Sequence, residues 1–330
     1  MFSRILILRS GALGDFIVTL PVIAGLRKLC PHAWIEVLGP GGAAALAEGL
    51  ADNAADLASR GLHELFLPHN PDAAAGPAPG GTTSHYIKSF DLVISWLGED
   101  FFANVSRLAS GTVVNVPPVP PAGRSAALTF FDSIPQLRGL PFKPPRVKPT
   151  SAEERQAAKL LARNGLTPAL PLVAVHPGSG GRRKCWPPRH FAAVIRALLR
   201  AGRQVAIISG EADAEAVAGV GRELALPGLS RPAILADLPV RLLAAVLAAC
   251  GAYLGNDSGV SHLAAAAGTK CFVIFGPTDP VRWAPAGENV TVICADLPCR
   301  PCGQTAADCP RDLRCLTDLL PDDVISRMAC

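Results

Sequence analysis

What most limits the fold of this chain is an order of segments that recurs in both halves: a short apolar run, a glycine-bearing turn, then an apolar-periodic stretch of helical length. RILIL at residues 4–8 stops at RSGALGD and resumes as FIVTLPVIAGLRKL, and the first half holds two more apolar runs, WIEVLG and FDLVISWLG. In the second half PLVAVHPGSG, QVAIISGEAD, AYLGNDSG and CFVIFGPTDP each end an apolar run in a turn. FAAVIRALLRAG, LPVRLLAAVLAAC and VSHLAAAAG alternate with them as helices. Short strands buried on both faces, separated by amphipathic helices, make parallel sheets. The expected class is therefore α/β, with two Rossmann-like doubly wound domains facing a central cleft.

Between Leu140 and Ser151 the chain carries Pro141, Pro144, Pro145 and Pro149. Proline removes backbone donors and fixes φ, so this stretch reads as a linker. It sets the expected domains at 1–145 and 146–330, in keeping with a length beyond what one core usually supports. The helix SAEERQAAKLLARNG should start at once, with Ser151 as N-cap and Glu154 as its capping-box partner. Ligands of open α/β sheets bind outside the carboxyl ends of the strands, which directs attention to the turns there.

A net charge of +4 is too small to imply a nucleic-acid partner, and clustered arginines point instead to small anionic ligands or an anionic surface. No run of 18 apolar residues occurs, and Arg9 and Asp15 interrupt the first apolar segment, so neither a spanning helix nor a signal peptide is expected. The expected location is the cytoplasm, with peripheral contact at the cytoplasmic face of a membrane.

Three turns carry chemistry. In Arg9-Ser10-Gly11-Ala12-Leu13-Gly14-Asp15 the glycines allow a sharp turn, and Asp15 reads either as a helix-start cap or as a general base for a hydroxyl nucleophile. The segment lacks the third glycine of the dinucleotide fingerprint. His176-Pro177-Gly178-Ser179-Gly180-Gly181 runs into Arg182, Arg183 and Lys184, placing flexible backbone beside three cations suited to a diphosphate. It does not match the Walker pattern. In Gly255-Asn256-Asp257-Ser258-Gly259-Val260-Ser261-His262, amides near Ser258 to Val260 suit phosphate and Asp257 suits sugar hydroxyls. His262 reads equally as a structural histidine. Either Glu211 or Asp213, after QVAIISG, offers an acid for ribose hydroxyls.

Taken together, RSGALGDFIVTLPVIAGLR, HPGSGGRRKCWPPRHF, GNDSGVSHLAAAAG and FGPTDPVRWAP resemble, in order, the bacterial heptosyltransferases of lipopolysaccharide core synthesis, glycosyltransferase family 9, whose fold is GT-B. That resemblance implies an inverting transfer from ADP-L-glycero-β-D-manno-heptose to a hydroxyl of the lipopolysaccharide inner core, on Kdo or on heptose. It implies an N-terminal acceptor domain and a C-terminal donor domain. Asp15 would be the general base and Lys184 the group that stabilises the leaving diphosphate, assisted by Arg182 or Arg183. Asp257 would hold heptose hydroxyls, Ser258 and Gly259 the phosphates, Glu211 the ribose, with Ser179 and His262 near the nucleotide. No cofactor is required. The chain departs from the family in having Ser258 where threonine is usual, and in placing Arg182 and Arg183 before Lys184 and Cys185 before Trp186. Arg107, Arg124, Arg138 and Lys143 are candidates for acceptor carboxylates or phosphates, with solvated surface charge the preferred reading of each.

Cys299-x2-Cys302-x6-Cys309-x5-Cys315 places four thiols in seventeen residues, enough to surround one tetrahedral metal. Reduced, packed thiols are the preferred reading over a structural metal or a disulfide, and PDDVISRMAC should close the chain as a helix packed back across the domains. The competing functions are another GT-B sugar-nucleotide enzyme, such as an epimerase, a nicotinamide or flavin oxidoreductase, and a nucleotide-sugar-binding protein without turnover. Oligomeric state is left open.

Overall fold

The computed structural model describes residues 2–67, 81–167, 170–225, 231–302 and 309–329. The chain divides into two compact units, Met1–Pro145 and Arg146–Cys330.

Unit 1 is a parallel sheet of β1 (Arg4–Leu8), β2 (Trp34–Gly39), β3 (Asn53–Asp56), β4 (Leu92–Ser95) and β5 (Thr112–Asn115), in the order β3-β2-β1-β4-β5. Its helices are α1 (Leu13–Ile17), α2 (Leu20–Leu29), α3 (Gly81–Lys88), α4 (Glu99–Leu108) and α5 (Ala126–Asp132). The central strand β1 is apolar because it is covered on both faces: Ile5, Leu6, Ile7 and Leu8 are fully buried. Leu6 and Leu8 join Leu38, Leu65, Phe90, Val93 and Phe101 in one cluster.

The single helix expected over FIVTLPVIAGLRKL is two. Pro21 stands at the start of α2, lacks an amide proton and crowds the carbonyl four residues back, and the Thr19 hydroxyl donates to the Phe16 carbonyl at 2.6 Å. The break lets α1 end early and leaves its short first turn to the Asp15 segment.

Unit 2 repeats the plan with β6 (Leu172–His176), β7 (Gln204–Ser209), β8 (Ala233–Ala236), β9 (Ala252–Asn256), β10 (Cys271–Ile274) and β11 (Val290–Ile293), all parallel in the order β11-β10-β9-β6-β7-β8. Its helices are α6 (Ser151–Arg163), α7 (Pro188–Arg200), α8 (Ala214–Glu223), α9 (Val240–Ala248), α10 (Gly259–Ala266), α11 (Pro280–Trp283), α12 (Arg314–Thr317) and α13 (Pro321–Met328). The core gathers Val173, Val175, Trp186, Phe191, Ile195, Val205, Leu254, Phe272 and Leu316.

The cap of α6 lies one residue earlier than expected. Thr150, not Ser151, is the N-cap: its hydroxyl accepts from the Glu153 amide and the Glu153 carboxylate accepts from the Thr150 amide at 2.7 Å. With Thr150 as N-cap, Glu153 rather than Glu154 stands at the third helical position, and it also meets Arg241 at 2.7 Å, which holds its carboxyl below the ordinary value. The closing helix α13 packs on α7 of its own unit, burying Val324 in that core.

In each sheet the chain reverses direction of winding at the first strand, between β1 and β4 in unit 1 and between β6 and β9 in unit 2. These are the topological switch points, where loops diverge at the carboxyl ends and leave a crevice. Among the described residues no helix is long and apolar enough to cross a membrane.

Candidate active site

At the unit 2 switch point the loop after β6 and the turn after β9 are tied together by buried polar groups. Asn256 is fully buried: its Nδ2 donates to the carbonyls of Pro177 at 2.8 Å and Gly178 at 3.1 Å, and its Oδ1 accepts from the Trp186 amide at 2.9 Å. Trp186, also fully buried, donates from Nε1 to the Leu319 carbonyl at 3.0 Å, so the loop is pinned at its far end. The Ser179 hydroxyl donates to the Asp257 carbonyl at 2.7 Å.

Beneath the loop a chain of polar side chains crosses the sheet end. His176 Nε2 meets Asp213 Oδ2 at 2.9 Å, and His176 Nδ1 lies 3.3 Å from the Ser258 hydroxyl. Asp213 also accepts from the Gly210 amide at 2.8 Å. Burial pushes the Asp213 carboxyl up, but the hydrogen bond and charge of His176 with the Gly210 amide outweigh it, and the group sits below its ordinary value. Gly178 is required here, since a Cβ at this position would stand 1.7 Å from Asp213 Oδ1.

Above this base lies the polar surface itself. Lys184 brings its ammonium to 2.9 Å from Asp257 Oδ2. At that distance the ammonium and the carboxylate form a charge-assisted contact, and the Asp257 side chain is only 7% exposed. Ser258 caps α10 by accepting from the Ser261 amide, and Gly259, half-buried, begins the first turn, whose amides carry the positive partial charge of the helix start. Lys184, Asp257, Ser179, Ser258 and Gly259 are thus brought together.

The other candidates sit elsewhere in the unit. Arg182 is 85% exposed and pairs with Glu215 at 2.7 Å, so the first of the three cations points to solvent. Arg183 is half-buried. Glu211 is exposed at the turn after β7, while its neighbour Asp213 is the buried acid. His262 is buried within α10, as a structural histidine would be.

In unit 1, Arg9 continues β1 into the glycine turn and is 2% exposed. Its guanidinium stacks over Phe130 at 5.2 Å, with Trp96 at 6.0 Å, and donates to Asp15 Oδ1 at 3.1 Å. Burial pulls the Arg9 value down and Asp15 opposes that shift. Asp15 Oδ2 accepts from the Ala12 amide at 2.9 Å, so the cap is formed, yet the side chain keeps 32% of its surface exposed. Gly11, at φ +107°, backs onto the carboxylate: a Cβ there would lie 2.7 Å from Asp15 Oδ2. Arg9 was the missed residue, and its signal was an arginine directly after four apolar residues.

Cavities lie at both ends of the sheets. A groove of about 410 Å³ in unit 1 is lined by Ser10, Gly11, Pro40, Asp56, His63 and Phe66, among others. A larger cavity of about 600 Å³ in unit 2 lies beside Leu172 and Gly251, at the amino-terminal end of the sheet and away from the polar cluster. Among the described residues no group of three or more His, Cys, Asp or Glu side chains is arranged to hold a metal ion. The described cysteines are free thiols: Cys315 is buried, Cys299 and Cys309 half-buried, and Cys302 exposed. Cys330 lies outside the described residues.

A model of glycosyltransferase family 9 (heptosyltransferase) matches residues 118–310. The chain belongs to that family. The family 9 chain is 26% identical over 312 residues to lipooligosaccharide heptosyltransferase 2 of Haemophilus influenzae, covering 88% of each. It is 29% identical over 171 residues to the protein of the same name from Campylobacter jejuni, spanning about half of both chains, 51% of this one and 52% of that one. The solved structure of the Escherichia coli ADP-heptose lps heptosyltransferase II aligns over 99% of this chain and 97% of that one, with a TM-score of 0.70 at 18% identity. The likeness gives the fold, two parallel-sheet α/β units of GT-B type, as the sequence led one to expect.

Proposed function

We propose that this family 9 chain transfers heptose, with inversion, from ADP-L-glycero-β-D-manno-heptose to a hydroxyl of the lipopolysaccharide inner core, on Kdo or on heptose. The observation that carries the reading is the unit 2 cluster, in which Lys184 and the first turn of α10 present positive charge beside the Asp257 carboxylate. The names of the relatives supply heptose and lipooligosaccharide; the cluster supplies chemistry that fits a diphosphate-linked sugar.

In this reading Lys184, with Arg183 and the amides at Gly259, meets the charge that grows on the departing diphosphate as the bond from the anomeric carbon to phosphate oxygen breaks. Asp257 accepts from heptose hydroxyls, Ser179 and Ser258 line the phosphate side, and the exposed Glu211 is free to take the ribose. His262 supports α10 from within. In unit 1 Asp15 takes the proton of the acceptor hydroxyl as its oxygen bonds to the anomeric carbon. Arg9 holds that carboxylate in place. The products are ADP and a core longer by one heptose.

The test is turnover by the purified full chain with ADP-heptose and a panel of truncated lipopolysaccharide acceptors, following ADP and product mass together. We expect a product heavier by one heptose and an equal amount of ADP. Folded protein that gives no product with any acceptor, the donor remaining intact, overturns the reading.

A further inference from the structure

The groove of unit 1 has a composition that bears on which acceptor the chain takes. It is built at the carboxyl ends of three adjacent strands: Ser10 and Gly11 follow β1, Pro40 follows β2, and Asp56 ends β3. Its far wall is Leu57 to Phe66. Gly11 is the residue against which the Asp15 carboxylate packs, so the groove adjoins the group assigned as general base.

The fixed charge on this groove is negative. Asp56 is exposed, with one oxygen accepting from the Ala58 amide at 2.9 Å. Arg60, on the same wall, turns away: it pairs with the buried carboxylate of Glu36 and lies over the Tyr86 ring at 5.8 Å. Arg9 is buried against Asp15. None of Arg107, Arg124, Arg138 and Lys143 lines the groove, and Arg124 pairs with Asp132 at 2.7 Å. His63 is the basic side chain that lines the groove.

Phe66 is the feature that a polar groove alone does not explain. It is 46% exposed, a large apolar ring left in solvent, but it is held in place. Its ring meets Phe101 at 4.9 Å, and Asn104 Nδ2 donates to the carbonyls on either side, Leu65 at 3.2 Å and Leu67 at 2.9 Å. A fixed aromatic face with a few polar groups around it is how a site binds a ring that has one apolar side and a rim of hydroxyls.

We propose that this groove selects an uncharged sugar as the acceptor residue, a heptose or hexose without carboxylate or phosphate beside the reacting hydroxyl, laid against Phe66 with hydroxyls on Asp56 and His63. An anionic sugar would meet the Asp56 carboxylate, and among the described lining residues no lysine or arginine offsets it. The proposal rests on the glycosyl-transfer reading above and narrows its acceptor from two classes to one.

The experiment compares two truncated core acceptors that differ only in the terminal residue, one ending in unphosphorylated heptose and one in Kdo or heptose phosphate, with ADP-heptose as donor. The uncharged acceptor should be used at least tenfold better in kcat/KM. Phe66→Leu, which keeps the contact with Phe101 but removes the ring face, should raise the acceptor KM about tenfold and leave the donor KM unchanged. Asp56→Asn, which keeps the bond from Ala58, should narrow the gap between the two acceptors severalfold. Equal or better use of the anionic acceptor, or a Phe66→Leu enzyme with unchanged acceptor KM, overturns the proposal. If no acceptor turns over, the transfer reading fails on its own, and saturation-transfer NMR with a methyl heptoside and a Kdo glycoside still decides the groove: selective, Phe66-dependent binding of the neutral sugar supports it, and equal or preferred binding of the anion, or no binding of either, overturns it.

Discussion

At the switch point of unit 1 one carboxylate, Asp15, stands on a short turn with a third of its surface in solvent; at that of unit 2, His176, Asp213, Asn256, Asp257 and Ser258 are all buried and bonded across the sheet end. The same topology carries both. In the proposed reading the difference follows from the charge each must handle. A diphosphate in transit brings charge that preorganised dipoles and cations meet best when they need not move, which favours a rigid, closely bonded base. A hydroxyl about to lose its proton needs one basic group that is held in place yet open to the acceptor; in the proposed reading that group is Asp15, held by donation from the Arg9 guanidinium to one oxygen and from the Ala12 amide to the other.

The contrast is broken most severely at the two glycines. Gly178→Ala would drive a methyl group into Asp213, and the collision involves a buried, doubly bonded carboxylate that has no room to retreat. We expect a loss of about 4 kcal/mol or more in unfolding free energy, as for severe overpacking in a bonded core. Gly11→Ala meets a half-open side chain, so its cost should be smaller despite the positive φ. Chemical denaturation of both variants checks the order, and equal losses would show that the two loops are equally rigid.

Asp15→Asn sharpens the comparison on the chemical side. The amide keeps the shape and an acceptor oxygen for Ala12 but cannot take a proton. Turnover should fall about a thousandfold, within the range of a lost general base, with donor KM little changed. A variant with wild-type kcat would reduce Asp15 to the cap it also forms.

How much of this was readable beforehand divides along the same line. The central strands and the glycine turns were visible because a strand buried on both faces is an unbroken apolar run, as in RILIL and LVAVH. The four strands left unassigned, β3, β5, β8 and β11, are the four sheet edges. Each has four residues and is partly exposed, so burial on one side imposes no continuous pattern. Asp257 and Lys184 stood out in their turns, whereas the bond from His176 to Asp213 joins residues 37 apart and has no local signal. The groove was hidden for the same reason, since Pro40, Asp56 and Phe66 meet only once β1, β2 and β3 pair.

That long-range pair has its own pH signature. The Asp213 carboxyl ionises more readily in the folded chain, so its contribution is complete above the unfolded carboxylate range and is lost as pH falls through the lower folded value. Asp213→Asn should cost on the order of 1 to 3 kcal/mol at pH 7, and the gap from wild type should shrink as pH drops below about 4. Urea titrations of both proteins at pH 7 and pH 3 make the comparison. A gap that persists at pH 3 would mean that packing, not the charge on Asp213, holds the base together.

The smallest expected effect separates the three consecutive cations. Arg182, Arg183 and Lys184 look alike in sequence, but Arg182 and its partner Glu215 are 85% and 68% exposed, while Lys184 is 23% exposed and points at Asp257. Water screens the first pair, so Arg182→Ala should change stability by less than about 0.5 kcal/mol. If the diphosphate is met inside the cluster, turnover should also stay within about twofold, because at 1.4 kcal/mol per factor of ten a screened surface charge has little to give. A tenfold fall in kcat, with unfolding unchanged, would show that Arg182 leaves Glu215 for the donor, and the charged side of the unit 2 site would then extend to the solvent edge of the loop.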